Sequence, residues 1–324
     1  MKKRILGSSG LEVSAIGLGC WGMSGAYGVG DRRESIETIH EAVEYGINFI
    51  DTADIYGNGH NEILVGEALK NIRREVILAT KFGFVGGEND DLYVNGRPEY
   101  VKKACDASLK RLGTDYIDLY YLHRLDKNVP IEDTVGAMSE LVDHGKIRFI
   151  GLSEVSAVTL DRAVTVHPVS ALQSEYSLNT RDIEDSVIPA CRKNNIAVVA
   201  FSPLGRALLT LTIKKVEDLE ENDFRRNIPR FQGGNLEKNI QLLKVIEDIA
   251  VNKNITPAQL ALAWLLHRGD DIFPIPGMKR KKYVKENILS ADIALYPDEI
   301  EILDNIYTGI SGERYSGISS KFIE

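Results

Sequence analysis

The chain has 324 residues, 44% hydrophobic and 27% charged, proportions of a globular protein with a large core. Its net charge of −8 argues against a general nucleic-acid binder or a partner of anionic membranes. Three scattered cysteines, Cys20, Cys105 and Cys191, are too few for a disulfide framework or a zinc knuckle, and reduced thiols point to the cytoplasm. The basic start Met1-Lys2-Lys3-Arg4 leads into no apolar signal-peptide stretch, and no run is long enough to suggest a membrane span.

In chain order, residues 3–6 and 12–15 flank Gly7-Ser8-Ser9-Gly10 and read as a hairpin. Strand 16–19 leads to helix 32–45, with Asp31 as N-cap and Gly46 as stop. Strand 47–51 leads to helix 61–71, strand 76–80 to helix 99–112, and strand 117–122 to helix 131–144. Strand 147–152 leads to helix 155–166, strand 171–176 to helix 183–194, and strand 196–201 to an irregular stretch. Helices 236–252 and 256–267, strand 272–276, and helices 281–289 and 297–307 complete the chain. This is the arithmetic of an α/β fold of the (β/α)8 TIM-barrel kind, with an N-terminal hairpin and extra C-terminal helices. No linker interrupts it, so one domain over 1–324 is expected. Three long loops, 83–98, 203–234 and the tail after 308, are each expected to wall the barrel mouth or run over the surface.

The apolar strand runs end on chemistry. Asp51, Lys81 and His123 close three of them, and Tyr56 follows Asp51 in a short polar loop. In a parallel barrel, active sites collect residues from the carboxyl ends of several strands, so these four are expected to converge. A lone Asp51 or Lys81 would more simply be a cap or surface charge, and the two together a structural ion pair. Tyr56 makes the set chemical: a phenol titrates near ~10, and a neighbouring ammonium favours its ionised form. Asp51 would keep Lys81 charged, and His123 would bond a substrate oxygen. A Schiff-base role for Lys81 needs a neutral amine, and a carboxylate partner opposes that.

Ser153, Glu154, Gln173 and Phe201 continue the pattern. Ser153 and Gln173 suit a carboxamide and Phe201 a planar ring, although Ser153 serves equally well as a helix cap. Phe201-Ser202-Pro203-Leu204-Gly205-Arg206 offers a turn and a cation for a pyrophosphate. Pro276-Gly277-Met278-Lys279-Arg280-Lys281-Lys282 puts a basic cluster at a helix N-terminus, either an anion site or a solvated charge run. Gly17-Leu18-Gly19-Cys20-Trp21-Gly22 fits G-x-G-x-x-G, but helical periodicity begins only after Asp31, so a Rossmann site is not expected. Trp21, Tyr93 and Arg124 are candidate substrate contacts, and no metal-ligand spacing is present.

Residues 46–67, Gly-Ile-Asn-Phe-Ile-Asp-Thr-Ala-Asp-Ile-Tyr-Gly-Asn-Gly-His-Asn-Glu-Ile-Leu-Val-Gly-Glu, resemble the best-known signature of the aldo-keto reductase family. Leu122-His123-Arg124, the stretch 145–153 and Phe201-Ser202-Pro203-Leu204-Gly205 match as well, most closely in members of the auxin-induced-protein or pyridoxal-reductase type. The resemblance implies NADPH bound without a Rossmann domain and a small-molecule aldehyde or ketone reduced to its alcohol. It further implies Tyr56 as general acid tuned by Lys81 and Asp51, with His123 orienting the carbonyl. Ser153 and Gln173 would hold the nicotinamide carboxamide, Lys279 and Arg280 the 2′-phosphate, and Glu286 and Asn287 the adenine. Channel β-subunits resemble the same family, so an NADPH-binding regulatory module is the alternative. A homo-oligomer is compatible with either.

Overall fold

The structure, a computed structural model, describes residues 1–28, 30–86, 92–316, 322 and 324. Two expected loops extend beyond these, the first at 87–91 and the tail at 317–321 and 323, which lie outside the described residues. Strands β1 (Lys3–Ile5) and β2 (Glu12–Ser14) form the antiparallel hairpin. There follow β3 (Leu18–Gly19), α1 (Arg32–Glu44), β4 (Phe49–Asp51), α2 (His60–Leu69) and β5 (Ile77–Phe82). A second antiparallel hairpin, β6 (Phe84–Val85) with β7 (Tyr93–Val94), occupies the loop that the sequence left irregular. Next come α3 (Pro98–Leu112), β8 (Ile117–Leu122), α4 (Ile131–Asp143), β9 (Ile147–Ser153) and α5 (Ala157–Ala163). β10 (Val169–Glu175), α6 (Val187–Lys193), β11 (Ala197–Phe201), α7 (Asn235–Lys253) and α8 (Pro257–His267) follow. β12 (Ile272–Pro274), α9 (Lys281–Leu289) and α10 (Pro297–Asp304) end the regular structure.

Local chemistry explains the helix starts. Asp31 caps α1 by accepting from Glu34 N at 2.8 Å. α8 opens on a capping box between Thr256 and Gln259, with Pro257 at the first helical position. Three expected helices are shorter than their periodicity: α10, which stops at Asp304, and α5 and α6, which start late. α5 starts late because Ser153 stays in β9 and Glu154 takes a left-handed φ of 54°, leaving Ser156 to cap the helix. α6 starts late because Ile188 N bonds the Ile183 carbonyl five residues back, a widened turn that postpones regular helix.

Eight strands run parallel in the order β12-β11-β10-β9-β8-β5-β4-β3. The sheet curls until its edges meet: Gly17 N bonds Pro274 O at 2.9 Å and Gly19 N bonds Pro276 O at 3.1 Å. The glycines that mimic a dinucleotide fingerprint thus serve the closing seam, where a Cβ on Gly19 would sit 2.7 Å from Ile275 O. Strand alternation sorts the side chains into two cores. Ile50, Leu78, Tyr120, Leu152, Leu172 and Val198 face the helices. Phe49, Ala79, Leu119, Tyr121, Ala171, Val199 and Phe273 fill the interior, joined by Leu6, Leu11 and Val13 of the hairpin segment. Among the described residues, no helix is long and apolar enough to cross a membrane.

Candidate active site

The period of two that fills the interior also furnishes the mouth. Two residues beyond Phe49 stands Asp51, beyond Ala79 Lys81, beyond Tyr121 His123, beyond Ala171 Gln173, and beyond Val199 Phe201. Ser153 reaches the same level at the end of β9, paired in register with Gln173. After β4 the chain stays bonded to β5, through Thr52 N to Ala79 O and Asp54 N to Lys81 O at 3.1 Å. A turn then brings Tyr56 back over Lys81. Asn61, fully buried, fixes that turn by accepting from Thr52 Oγ1 at 2.6 Å and donating to Cys20 O at 2.9 Å.

Lys81 has no exposed surface, and its Nζ has three partners: Asp51 Oδ1 at 2.5 Å, Thr52 O at 2.8 Å and Tyr56 Oη at 3.1 Å. Gln173 Nε2 donates to the other Asp51 oxygen at 2.8 Å. Burial pushes the Lys81 ammonium down, but the Asp51 carboxylate and the hydrogen-bonded Tyr56 oxygen outweigh it, so its value stands above that of an ordinary lysine. The phenol departs from expectation. Burial raises Tyr56 above its ordinary value; Lys81 pulls it back and Asp51 adds to the rise, so it holds its proton through neutral pH. The ammonium moderates this effect of burial without producing an acidic phenol.

His123 is placed by its own N bonding Phe82 O at 2.8 Å, and its ring meets Tyr56 edge-on at 5.9 Å and Phe84 at 4.9 Å. Burial, then the charges of Lys81 and Arg124, hold it well below the usual histidine value, so the imidazole is neutral at pH 7. Among the described residues, its buried Nδ1 has no hydrogen-bond partner.

Two adjoining cavities open here. The first, of ≈ 880 Å³, is lined by Tyr56, His123, Arg124 and Ser153. The second, of ≈ 860 Å³, is lined by Gly19, Asp51, Ser202, Pro203, Leu204, Gly277 and Lys279. Trp21, Tyr56, Gln173, Phe201 and Arg206 belong to both. Ser202, Arg206 and Ala207 take left-handed φ values of 48°, 57° and 74°, strain of order 1–3 kcal/mol each. Strain of this kind clusters at binding sites.

Other sequence-predicted residues stand elsewhere or are already engaged. Tyr93 is 52% exposed on β7, and Phe84 and Leu92 line the first cavity in its place. Glu154 lines neither cavity: it accepts from Glu175 N at 2.8 Å and is ion-paired to Arg314 at 2.6 Å. Gly205 packs on Asn179, a contact so close that a Cβ would meet its Nδ2 at 2.6 Å. Arg206, expected to face a pyrophosphate, is ion-paired to Glu175 at 3.2 Å and lies 4.5 Å over the Tyr315 ring. Lys279 Nζ bonds the Tyr27 and Gly28 carbonyls at 2.9 and 3.2 Å. Arg280 is exposed at the start of α9, Glu286 accepts from Thr256 Oγ1 at 2.6 Å, and Asn287 is buried; none of the three lines either cavity. Phe224, Tyr315 and Phe322 complete the first cavity from segments far away in the chain, and no local signal marks them. Phe84 was not marked either, because strand alternation from helix-facing Phe82 would put it on the side of the sheet away from the cavity.

A nicotinamide dinucleotide fits these features. The second cavity offers strained backbone at Ser202 and Phe201 on its wall. At its end α9 begins without a side-chain cap among Lys279, Arg280, Lys281 and Lys282, an arrangement suited to a phosphate.

The family model described as Aldo/keto reductase family matches residues 15–308. Among solved structures, the glycerol dehydrogenase of Gluconobacter oxydans is 30% identical, with 95% of each chain covered and a TM-score of 0.86. An aldo-keto reductase of Bacillus halodurans in its holo form is 28% identical, with 98% of each chain covered and a TM-score of 0.76. An aldo/keto reductase of Klebsiella pneumoniae, solved with NADP and acetate, is 28% identical over 98% of this chain and 100% of that one, with a TM-score of 0.74.

Proposed function

This chain belongs to the aldo/keto reductase family, a family of oxidoreductases, and from that premise we propose that it reduces aldehydes or ketones to alcohols with NADPH, using Tyr56 as the acid. The observation that carries the proposal is the bond, 3.1 Å, from buried Lys81 Nζ to the Oη of Tyr56, a residue of the wall shared by both cavities. When bound, the reduced nicotinamide supplies the hydride that the carbonyl carbon accepts. Tyr56 gives its proton to the carbonyl oxygen. Lys81, kept charged by Asp51, stabilises the phenolate that remains until solvent returns a proton. His123, held neutral, serves as hydrogen-bond donor to the same oxygen and leaves the phenol as the acid.

Gln173, anchored on Asp51, and Ser153 flank the place for the carboxamide, and Phe201 offers a face for its ring. The backbone of Ser202, Pro203, Leu204 and Gly277 suits the pyrophosphate. Lys279 and Arg280, beside the uncapped start of α9, favour the extra phosphate of NADPH over NADH. Trp21 and Arg124 belong to the substrate side. We read 1–324 as one working domain, because Tyr315 and Phe322 of the tail line the reaction cavity.

The test is a panel of small aldehydes and ketones assayed with NADPH and NADH side by side. Turnover with NADPH, at a lower KM than with NADH, is the expected result. Silence across the panel would overturn the proposal and leave a module that binds dinucleotide without turning it over.

A further inference from the structure

Arg124, Arg206, Arg230 and Arg314 are buried or nearly so around the mouth, and three of them meet a carboxylate. Arg206 is ion-paired to Glu175 at 3.2 Å, Arg230 to the same carboxylate at 3.6 Å, and Arg314 to Glu154 at 2.6 Å. Arg124 differs. It is 7% exposed and, among the described residues, ion-paired to no carboxylate. Its hydrogen bonds run from Nη1 to neutral acceptors, His123 O at 2.8 Å and Ser153 Oγ at 3.3 Å. The rings of Phe84 and Phe201 each lie 6.0 Å from the guanidinium carbon, and the Arg124 charge also reaches the Tyr315 and Tyr56 phenols. A cation taken from water into such walls is costly unless an anion meets it.

The missing anion belongs to one of the two cavities. Arg124 lines the cavity that holds Tyr56 and His123, and it is absent from the lining of the adjoining cleft suited to the dinucleotide. A cofactor phosphate is therefore a poor match, and a substrate group a good one. Glu175, which answers Arg206, the other arginine of this cavity, is already shared with Arg230 and leaves nothing for Arg124. The planar guanidinium fork of Arg124 matches a carboxylate.

We propose that the preferred substrate is a carbonyl compound carrying a carboxylate, an oxo acid whose carboxylate is bound by Arg124 while its carbonyl oxygen faces Tyr56. This rests on the reductase reading above and assigns its substrate class.

The experiment compares aldehyde acids of increasing chain length with their methyl esters, using NADPH. Wild type should favour the acid over its ester at least ~10-fold in kcat/KM at the best length. Arg124→Gln should bring that ratio close to one, and Arg124→Lys should restore part of it. Equal use of acid and ester by wild type would overturn the inference while leaving the reductase reading intact. Turnover of neither would instead strike the reductase reading itself. NADPH affinity, from tryptophan quenching, should survive in Arg124→Gln; a loss confined to it would give the cation to the dinucleotide and overturn the proposal. Should the variant not fold, butyrate against ester turnover by wild type decides the matter: competitive inhibition supports the carboxylate site, and its absence contradicts it.

Discussion

A lysine with no exposed surface needs an anion, and Asp51 provides one for Lys81 at 2.5 Å. Removing the amine alone should strand a buried carboxylate: Lys81→Met is expected to lose about 3–5 kcal/mol of stability by urea denaturation. Pairing it with Asp51→Asn should recover most of that stability without recovering turnover. Recovery of both would reduce the pair to a structural one. His123 carries a pH signature. Burial holds it below the ordinary value of about 6.5, so in acid the unfolded chain takes up a proton that the folded chain refuses. Its stability contribution is present above pH ~6.5 and lost as pH falls below, by up to about 1.4 kcal/mol per pH unit. His123→Gln should flatten that acid limb; an unchanged limb would contradict the assignment. The convergence of Asp51, Lys81 and His123 was legible because each ends an apolar strand, and strand period fixes the face. The net rise of the Tyr56 phenol was not legible, because it depends on burial by distant segments.

Between residue and barrel lie the elements that roof the mouth, and here the sequence said least. α5 and α6 came out shorter than their apolar periodicity, because turn geometry and capping at Ser156 and Ile188, rather than apolar spacing, set their starts. The hairpin of β6 and β7 was hidden because each of its strands has two residues, too few for a period to show. Polar contacts help tie down the tail after α10. Asn239 exchanges bonds with Ser311 at 2.8 and 3.0 Å, and Arg314 closes on buried Glu154 at 2.6 Å. Glu154, predicted for the cofactor, thus acts as a latch for the tail. Arg314→Ala should speed amide exchange at 311–316 and raise the substrate KM, since Tyr315 would lose its place in the first cavity. Unchanged exchange would show that the tail is held by something else.

At the scale of the whole molecule, strand–helix alternation predicted the barrel, and the count of eight made closure the natural expectation. What the sequence did not disclose was the seam, where Gly17 and Gly19 let the first strand approach the last. Gly19→Ala should force that seam apart and cost about 1–3 kcal/mol of stability; a variant as stable as wild type would mean that the seam yields freely. Closure matters for function because it holds β4, β5 and β8 in the register that places Asp51, Lys81 and His123 around one phenol. The most direct test of that phenol's role is a single-turnover measurement of NADPH oxidation by Tyr56→Phe with a saturating aldehyde. Proton donation by Tyr56 predicts a rate lower by about 10²–10⁴-fold, with NADPH still bound at close to wild-type affinity. A variant that oxidises NADPH at the wild-type rate would contradict it.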